Sequence, residues 1–247
     1  MPHPIHIGVG GWSYDPWAKS FYPPALPKAR QLEYAGQHLT GIEINSTYYG
    51  SQKPESFARW AAAVPDGFKF TVKASRFATN RRVLVEGAPS VEKFLGQGIT
   101  RLEDRLGPIL WQLIPTKKFD ADDFAAFLKL LPPRQDGAAA LRHAVEVRHE
   151  SFACDAFIKL CRDHGVAIVE AWHDTYPLIA EATADFAYLR LQQSREDEAA
   201  GYSTAELKDW AKKTKAIAND RDVFLFFISG AKLRNPAAAQ ALIALLG

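Results

Sequence analysis

Three short segments place polar side chains on one face of an extended chain and aliphatic ones on the other. In Gly41–Asn45, Glu43 and Asn45 alternate with Ile42 and Ile44; in Ala144–Arg148, Glu146 and Arg148 alternate with Val145 and Val147. In Phe186–Leu191, Tyr188 and Arg190, with Gln192 beyond, alternate with Leu189 and Leu191. Residues two apart on a strand share a face, so these polar groups point together. Lys73 ends a fourth such run, Phe68–Lys73, and Gln112 is the polar residue of a fifth, Ile109–Leu113. Glu43 and Glu146 are the acid and base candidates, provided their surroundings separate their pKa values. Lys73 is the third catalytic candidate: desolvated it forms a Schiff base with a carbonyl, and beside two carboxylates it stays protonated. Arg148 and Arg190 suit an anionic substrate, which guanidinium grips in a bidentate fork, and Asn45 would orient it. Charges gathered in this way must be paired to be tolerated, and similar numbers of acids and bases permit that.

Aromatic residues crowd the segment after the first strand-like run: Trp12, Tyr14, Trp17, Phe21 and Tyr22, with Tyr48 and Tyr49 following the second. Trp12, Tyr14 and Tyr48 are expected to line a wall on which a sugar or base stacks, the alternative being packing of a long loop over the site. Arg76, Arg81 and Arg82 add positive charge after Lys73. His149, His173, Asp174, Glu43, Glu146 and Glu170 are of metal-ligand type, but no HExxH-like spacing gathers them, and no metal or cofactor is expected. Cys154 and Cys161 lie two helical turns apart and read as free thiols of a reducing cytoplasm.

These residues need a frame. Strand-like runs occur at Ile5–Val9, Gly41–Asn45, Phe68–Lys73, Ile109–Leu113, Ala144–Arg148, Val166–Glu170, Phe186–Leu191 and Val223–Ile228. Helical patterns lie between most of them, at Arg30–Leu39, Pro54–Val64, Ser90–Leu106, Asp120–Leu131, Phe152–His164, Thr204–Asn219 and Pro236–Leu246, with Asp120, Ser203 and Asn235 at N-cap positions. Eight strand–helix units in 247 residues, roughly 31 each, predict an α/β fold: a single (β/α)8 TIM-like barrel of parallel strands, one domain over residues 1–247. An open doubly wound sheet alternates similarly, but Gly8-Val-Gly10-Gly11-Trp12 lacks the third glycine and the helix of a nucleotide fingerprint. The polar pairs end their strands, the side of such barrels where catalytic groups sit.

Hydrophobic residues at 47% and charged residues at 23% exclude a disordered or fibrous chain. A formal net charge of +2 argues against binding to nucleic acid by bulk charge, though not against a local basic patch. No secretory signal pattern and no membrane-length apolar run is present, so a cytoplasmic protein with no membrane association is expected.

Seven ordered motifs carry a resemblance: Gly11-Trp-Ser-Tyr14, Phe21-Tyr-Pro23, Glu43-Ile-Asn-Ser-Thr-Tyr-Tyr49, Phe70-Thr-Val-Lys-Ala74, Leu106-Gly-Pro-Ile-Leu-Trp-Gln-Leu113, Val145-Glu-Val-Arg-His149 and Thr183-Ala-Asp-Phe-Ala-Tyr-Leu-Arg190. Over nearly its whole length the chain resembles the YecE-like family, catalogued as a domain of unknown function. The resemblance implies a TIM-like barrel and places the family's polar positions on Glu43, Asn45, Lys73, Glu146, Arg148 and Arg190. It supplies no reaction. Gln192 stands where the family commonly has His, and Ile228-Ser229 where it commonly has an Asn pair. The leading expectation is an enzyme using acid/base or electrostatic catalysis on a small, polar, anionic, sugar- or nucleotide-like substrate. The alternatives are a metal-dependent phosphodiesterase or isomerase, and a non-catalytic protein binding a small ligand or nucleic acid.

Overall fold

Runs of β-branched, aliphatic and aromatic residues form eight parallel strands: β1 (Ile5–Gly10), β2 (Gly41–Ile44), β3 (Lys69–Lys73), β4 (Leu106–Gln112), β5 (His143–Glu146), β6 (Ala167–Trp172), β7 (Phe186–Leu191) and β8 (Asp222–Phe227). In the computed structural model, which describes residues 2–136 and 139–247, each strand pairs with the next in sequence. The barrel closes where β1 pairs with β8, Ile5 opposite Val223 through Val9 opposite Phe227. The (β/α)8 topology expected from the alternation is therefore present.

Period-two alternation decides what each face meets. Ile42, Ile44, Val145, Leu189 and Leu191 face outward into the core shared with the helices. Leu110, Ala144, Val169, Phe186, Tyr188, Phe224 and Phe226 fill the lumen. On β1 the lumen must narrow: a Cβ on Gly8 would sit 1.7 Å from the Gly41 carbonyl oxygen, so only glycine lets these strands approach. Phe186 packs edge-on against Phe224 at 5.8 Å and His6 stacks on the same ring at 5.0 Å, closing the end from which the strands start.

Local chemistry sets the helix ends. Asp120 accepts from the Asp123 amide at 2.9 Å, and Ser203 forms a reciprocal capping box with Glu206. Asn235 does not cap: it is the first residue of the helix Asn235–Leu246, and its side chain is drawn inward to Ser194 and the Ser229 carbonyl. The helix expected over Ser90–Leu106 spans only Ala88–Leu95, because Gly98 adopts a φ of +96°, and a 3-10 segment, Ile99–Arg105, follows it. The start of β4 accordingly moves upstream to Leu106. Short helices at Ser46–Tyr49 and Arg76–Thr79, and a ribbon pairing Arg134–Gln135 with Ala139–Ala140, interrupt segments that carry no periodic signal. Gly137, part of the expected polar connection, lies outside the described residues. Cys154 and Cys161 are free thiols. Among the described residues no helix is long and apolar enough to cross a membrane.

His143 ties β5 to its neighbours and makes stability pH-dependent. Trp111 Nε1 donates to His143 Nδ1 at 3.1 Å, and His143 Nε2 lies 2.8 Å from the Pro132 carbonyl, so the ring is neutral with its proton on Nε2. Burial lowers its pKa from 6.5 to about 4, opposed in part by the Pro132 carbonyl. Its contribution to stability is complete above pH 6.5 and is lost as the pH falls toward about 4, since the unfolded chain binds the proton first. Between pH 6.5 and 5 the loss is about 2 kcal/mol. Urea denaturation of a His143→Gln variant should show a pH slope shallower by that amount; an unchanged slope rejects the assignment.

Candidate functional site

Arg190 of β7 points into the lumen with only 2% of its side chain exposed and meets two carboxylates that are fully buried. It forks onto Glu43, Nε to Oε2 and Nη2 to Oε1, both at 3.0 Å, while Nη1 donates to Glu146 Oε2. Tyr188 donates to Glu43 Oε2 at 2.8 Å; its single proton is thereby used, so the Thr71 hydroxyl, 2.9 Å away, donates to Tyr188. Glu146 Oε1 accepts from Gln112 Nε2 at 2.9 Å and Arg148 Nε at 2.7 Å. Side chains of β2, β3, β4, β5 and β7, joined by Arg148 just beyond β5, thus form one network across the barrel. Burial pushes the Glu146 carboxyl up, but Arg190 and Arg148 outweigh it and bring the pKa to about 2. Burial opposes the Arg190 charge, and Glu146 and Glu43 more than offset it, raising its pKa.

Above this network, where the strands end, opens a cavity of about 450 Å³ whose wall includes Lys73, Arg148, Arg190, Lys232, Tyr48 and Gln112. Glu43 and Glu146 lie beneath the wall rather than on it. Four cations therefore line the cavity, with two carboxylates below them, each already bonded to arginine. Lys73 Nζ rests 4.2 Å from the Tyr48 ring centroid and makes no hydrogen bond or ion pair with the described residues. Burial and then Arg190 lower its pKa to about 8, with Glu43 and Glu146 opposing and Arg148 adding to the fall. The Arg148 guanidinium lies 4.5 Å from the Tyr176 ring centroid. Lys232 is anchored through its backbone, whose carbonyl accepts from Trp17 Nε1 at 2.9 Å, and its Nζ sits 4.3 Å over Tyr14.

Of the expected binding residues, Asn45, Tyr48, Arg148 and Arg190 share this cavity with Lys73. Trp12 and Tyr14 instead line an adjoining cavity of about 250 Å³, which shares Gly10, Asn45, Tyr49 and Lys232 with the first. Much of the aromatic loop is packing: Trp17, Phe21 and Tyr22 are buried, and Trp12 sits edge-on to Trp60 at 5.2 Å. The metal-type residues do not converge. Glu170 points out of the barrel to Lys213 at 2.7 Å, His149 turns to Ser151, and His173 stacks on Tyr176 at 4.1 Å. Among the described residues no three His, Cys, Asp or Glu side chains gather to hold a metal. Lys232 gave no sequence signal, since it belongs to a loop set by tertiary contacts. Gln192 is buried with its amide nitrogen unpartnered among the described residues.

A family model described as "Protein of unknown function DUF72" matches residues 6–247. The UPF0759 protein YecE of Escherichia coli (strain K12) is 30% identical over 151 residues, 60% of this chain and 50% of that protein, so the match spans about half the length of this curated relative. A DUF72 family protein of Thermotoga maritima MSB8 superposes with a TM-score of 0.75 at 24% identity, over 98% of this chain and 97% of that one. A second, from Enterococcus faecalis V583, has a TM-score of 0.72 at 17% identity, over 98% and 95%. At these identities the solved structures speak to the fold.

Proposed function

The chain belongs to the DUF72 family, whose description assigns no chemistry, and from the barrel mouth we propose an enzyme acting on a small polar anion of sugar- or nucleotide-like character. One observation carries this: four cations line one cavity while both nearby carboxylates are already paired from below. An incoming phosphate or carboxylate would complete the charge balance. In this role Arg148, Arg190 and Lys232 bind the anion, Asn45 and Gln112 orient it, and Lys73 transfers the proton, its pKa of about 8 being near the working range. Glu43 and Glu146, which the sequence suggested as acid and base, are enclosed and act through the arginines they hold, as positioning residues.

Calorimetric titration with inorganic phosphate and pyrophosphate tests the site. Arg148→Met should weaken binding at least about tenfold, the worth of one charge-assisted hydrogen bond. Equal affinity in parent and variant, or no binding by the parent, sinks it.

A second reading has its own observation. Beside the mouth, Tyr49 is 67% and Phe77 54% exposed, with the Arg76 guanidinium 6.0 and 5.2 Å from their ring centroids. A further cavity of about 540 Å³ is lined by Arg81, Arg82, Lys117 and Lys118 together with Asp120 and Asp123, the latter paired with Lys117. Bases stacking on such rings, with phosphates on the arginines, would make the protein a nucleic-acid binder without turnover. A single-stranded oligonucleotide separates the two: binding that falls with salt and with Phe77→Ala, but is indifferent to Arg148→Met, favours the second. A metal-dependent phosphodiesterase or isomerase has no converging donor set among the described residues to support it.

A further inference from the structure

Resting on the anion site proposed above, we propose that Lys73 captures an anionic aldehyde or ketone as an imine, so that the substrate class is a carbonyl compound bearing phosphate or carboxylate. Among the buried and half-buried lysines its situation is unusual. Lys117 is 7% exposed, but its Nζ is held by Asp123 and by the Arg82 carbonyl at 2.7 Å. Lys213 is paired with Glu170. Lys73 Nζ lies 4.2 Å from the Tyr48 ring centroid, has no hydrogen bond or ion pair with the described residues, and opens to the 450 Å³ cavity. The carboxylates below cannot easily claim it, because Glu43 already accepts from Arg190 and Tyr188, and Glu146 from Arg190, Arg148 and Gln112. Arg148 and Lys232 on the same wall would hold the anionic end of a molecule whose carbonyl reaches Nζ.

The neutral amine adds to the carbonyl carbon while a proton passes from nitrogen to the carbonyl oxygen, giving a carbinolamine. Protonation of that hydroxyl and loss of water leave the C=N bond of a protonated imine. Burial and Arg190 favour the reactive form: with a pKa of about 8, roughly a quarter of Lys73 is neutral at pH ~7.5, against about one in a thousand for an ordinary lysine.

Pyridoxal 5′-phosphate, an aldehyde carrying a phosphate, is the probe, with borohydride supplying the hydride that reduces the imine to a stable secondary amine. Peptide mapping should find Lys73 labelled at least about tenfold faster than exposed Lys28 and Lys159 in the same sample. Pyridoxal without its phosphate should label Lys73 more slowly, and inorganic phosphate should protect it. Lys73→Arg keeps the charge and should remove that adduct, its urea midpoint confirming that it folds. If phosphate binds but Lys73 is labelled no faster than Lys159, the imine is overturned and the anion site stands. If pyridoxal and its phosphate label Lys73 equally and inorganic phosphate does not protect, the anionic substrate class fails together with the site it rests on.

Discussion

Replacing Arg190 with methionine is expected to destabilise the protein by about 3–5 kcal/mol, the cost of leaving buried carboxylates without their cation. Glu43 and Glu146 have no exposed surface, and Arg190 contributes three of the hydrogen bonds that satisfy them. After its removal Glu146 keeps Arg148 and Gln112, whereas Glu43 keeps, among the described residues, only Tyr188. The damage therefore centres on Glu43, which leads to a second, opposite expectation. Adding Glu43→Gln to Arg190→Met should recover roughly 1–2 kcal/mol, because an amide next to Tyr188 carries no stranded charge. Urea midpoints of the two single variants and the double variant read out the coupling. A loss under about 1 kcal/mol for Arg190→Met, or no recovery in the double variant, would show that the network is not what holds these charges in the barrel.

That network also marks the limit of what the chain discloses unaided. Alternation in β2, β5 and β7 assigns Glu43, Glu146 and Arg190 to one side because their neighbours are aliphatic, and closure of the barrel turns that side inward. In β6 the run Ala167-Ile-Val-Glu-Ala-Trp172 is apolar on both faces, so nothing local says which way Glu170 points; the helix Thr204–Ala218, which supplies Lys213, decides. Lys232 is a harder case. Its place depends on Trp17 and on the loop where Ser229 and Gly230 both have positive φ and Asn235 holds the Ser229 carbonyl. Those contacts span more than 200 residues of chain between Trp17 and Lys232, beyond any periodic pattern. Composition can show that basic residues and carboxylates are present in similar numbers, 30 and 28. Only the fold shows that the carboxylates are consumed beneath the cavity while Lys73 is left facing it.

Lys73→Met is expected to stabilise the protein at pH 7 by about 2 kcal/mol, although Lys73 is the residue to which the proposed chemistry is assigned. The native state carries its charge at a cost: burial and Arg190 lower the pKa from 10.5 to about 8. Well below pH 8 the lysine is protonated in both native and unfolded chains, and the native chain bears the full penalty, about 3 kcal/mol for a shift of this size. Between about 8 and 10.5 the native protein releases the proton first and the penalty shrinks; above 10.5 both states are neutral and it is gone. The cation–π contact with Tyr48 offsets roughly 1 kcal/mol of the penalty, and methionine fills similar space without charge. The gain from the substitution should therefore be largest at neutral pH and fade as the pH rises to 10, measured as the difference in urea midpoints between variant and parent. A variant no more stable than its parent at pH 7 would mean that water reaches Nζ freely. A desolvated amine would then be unavailable to a substrate, and proton transfer and imine formation at Lys73 would lose their common physical basis. Fading of the gain with pH links the instability of this side chain to the reactivity proposed for it, since the neutral form that relieves the fold is also the form that the proposed imine requires.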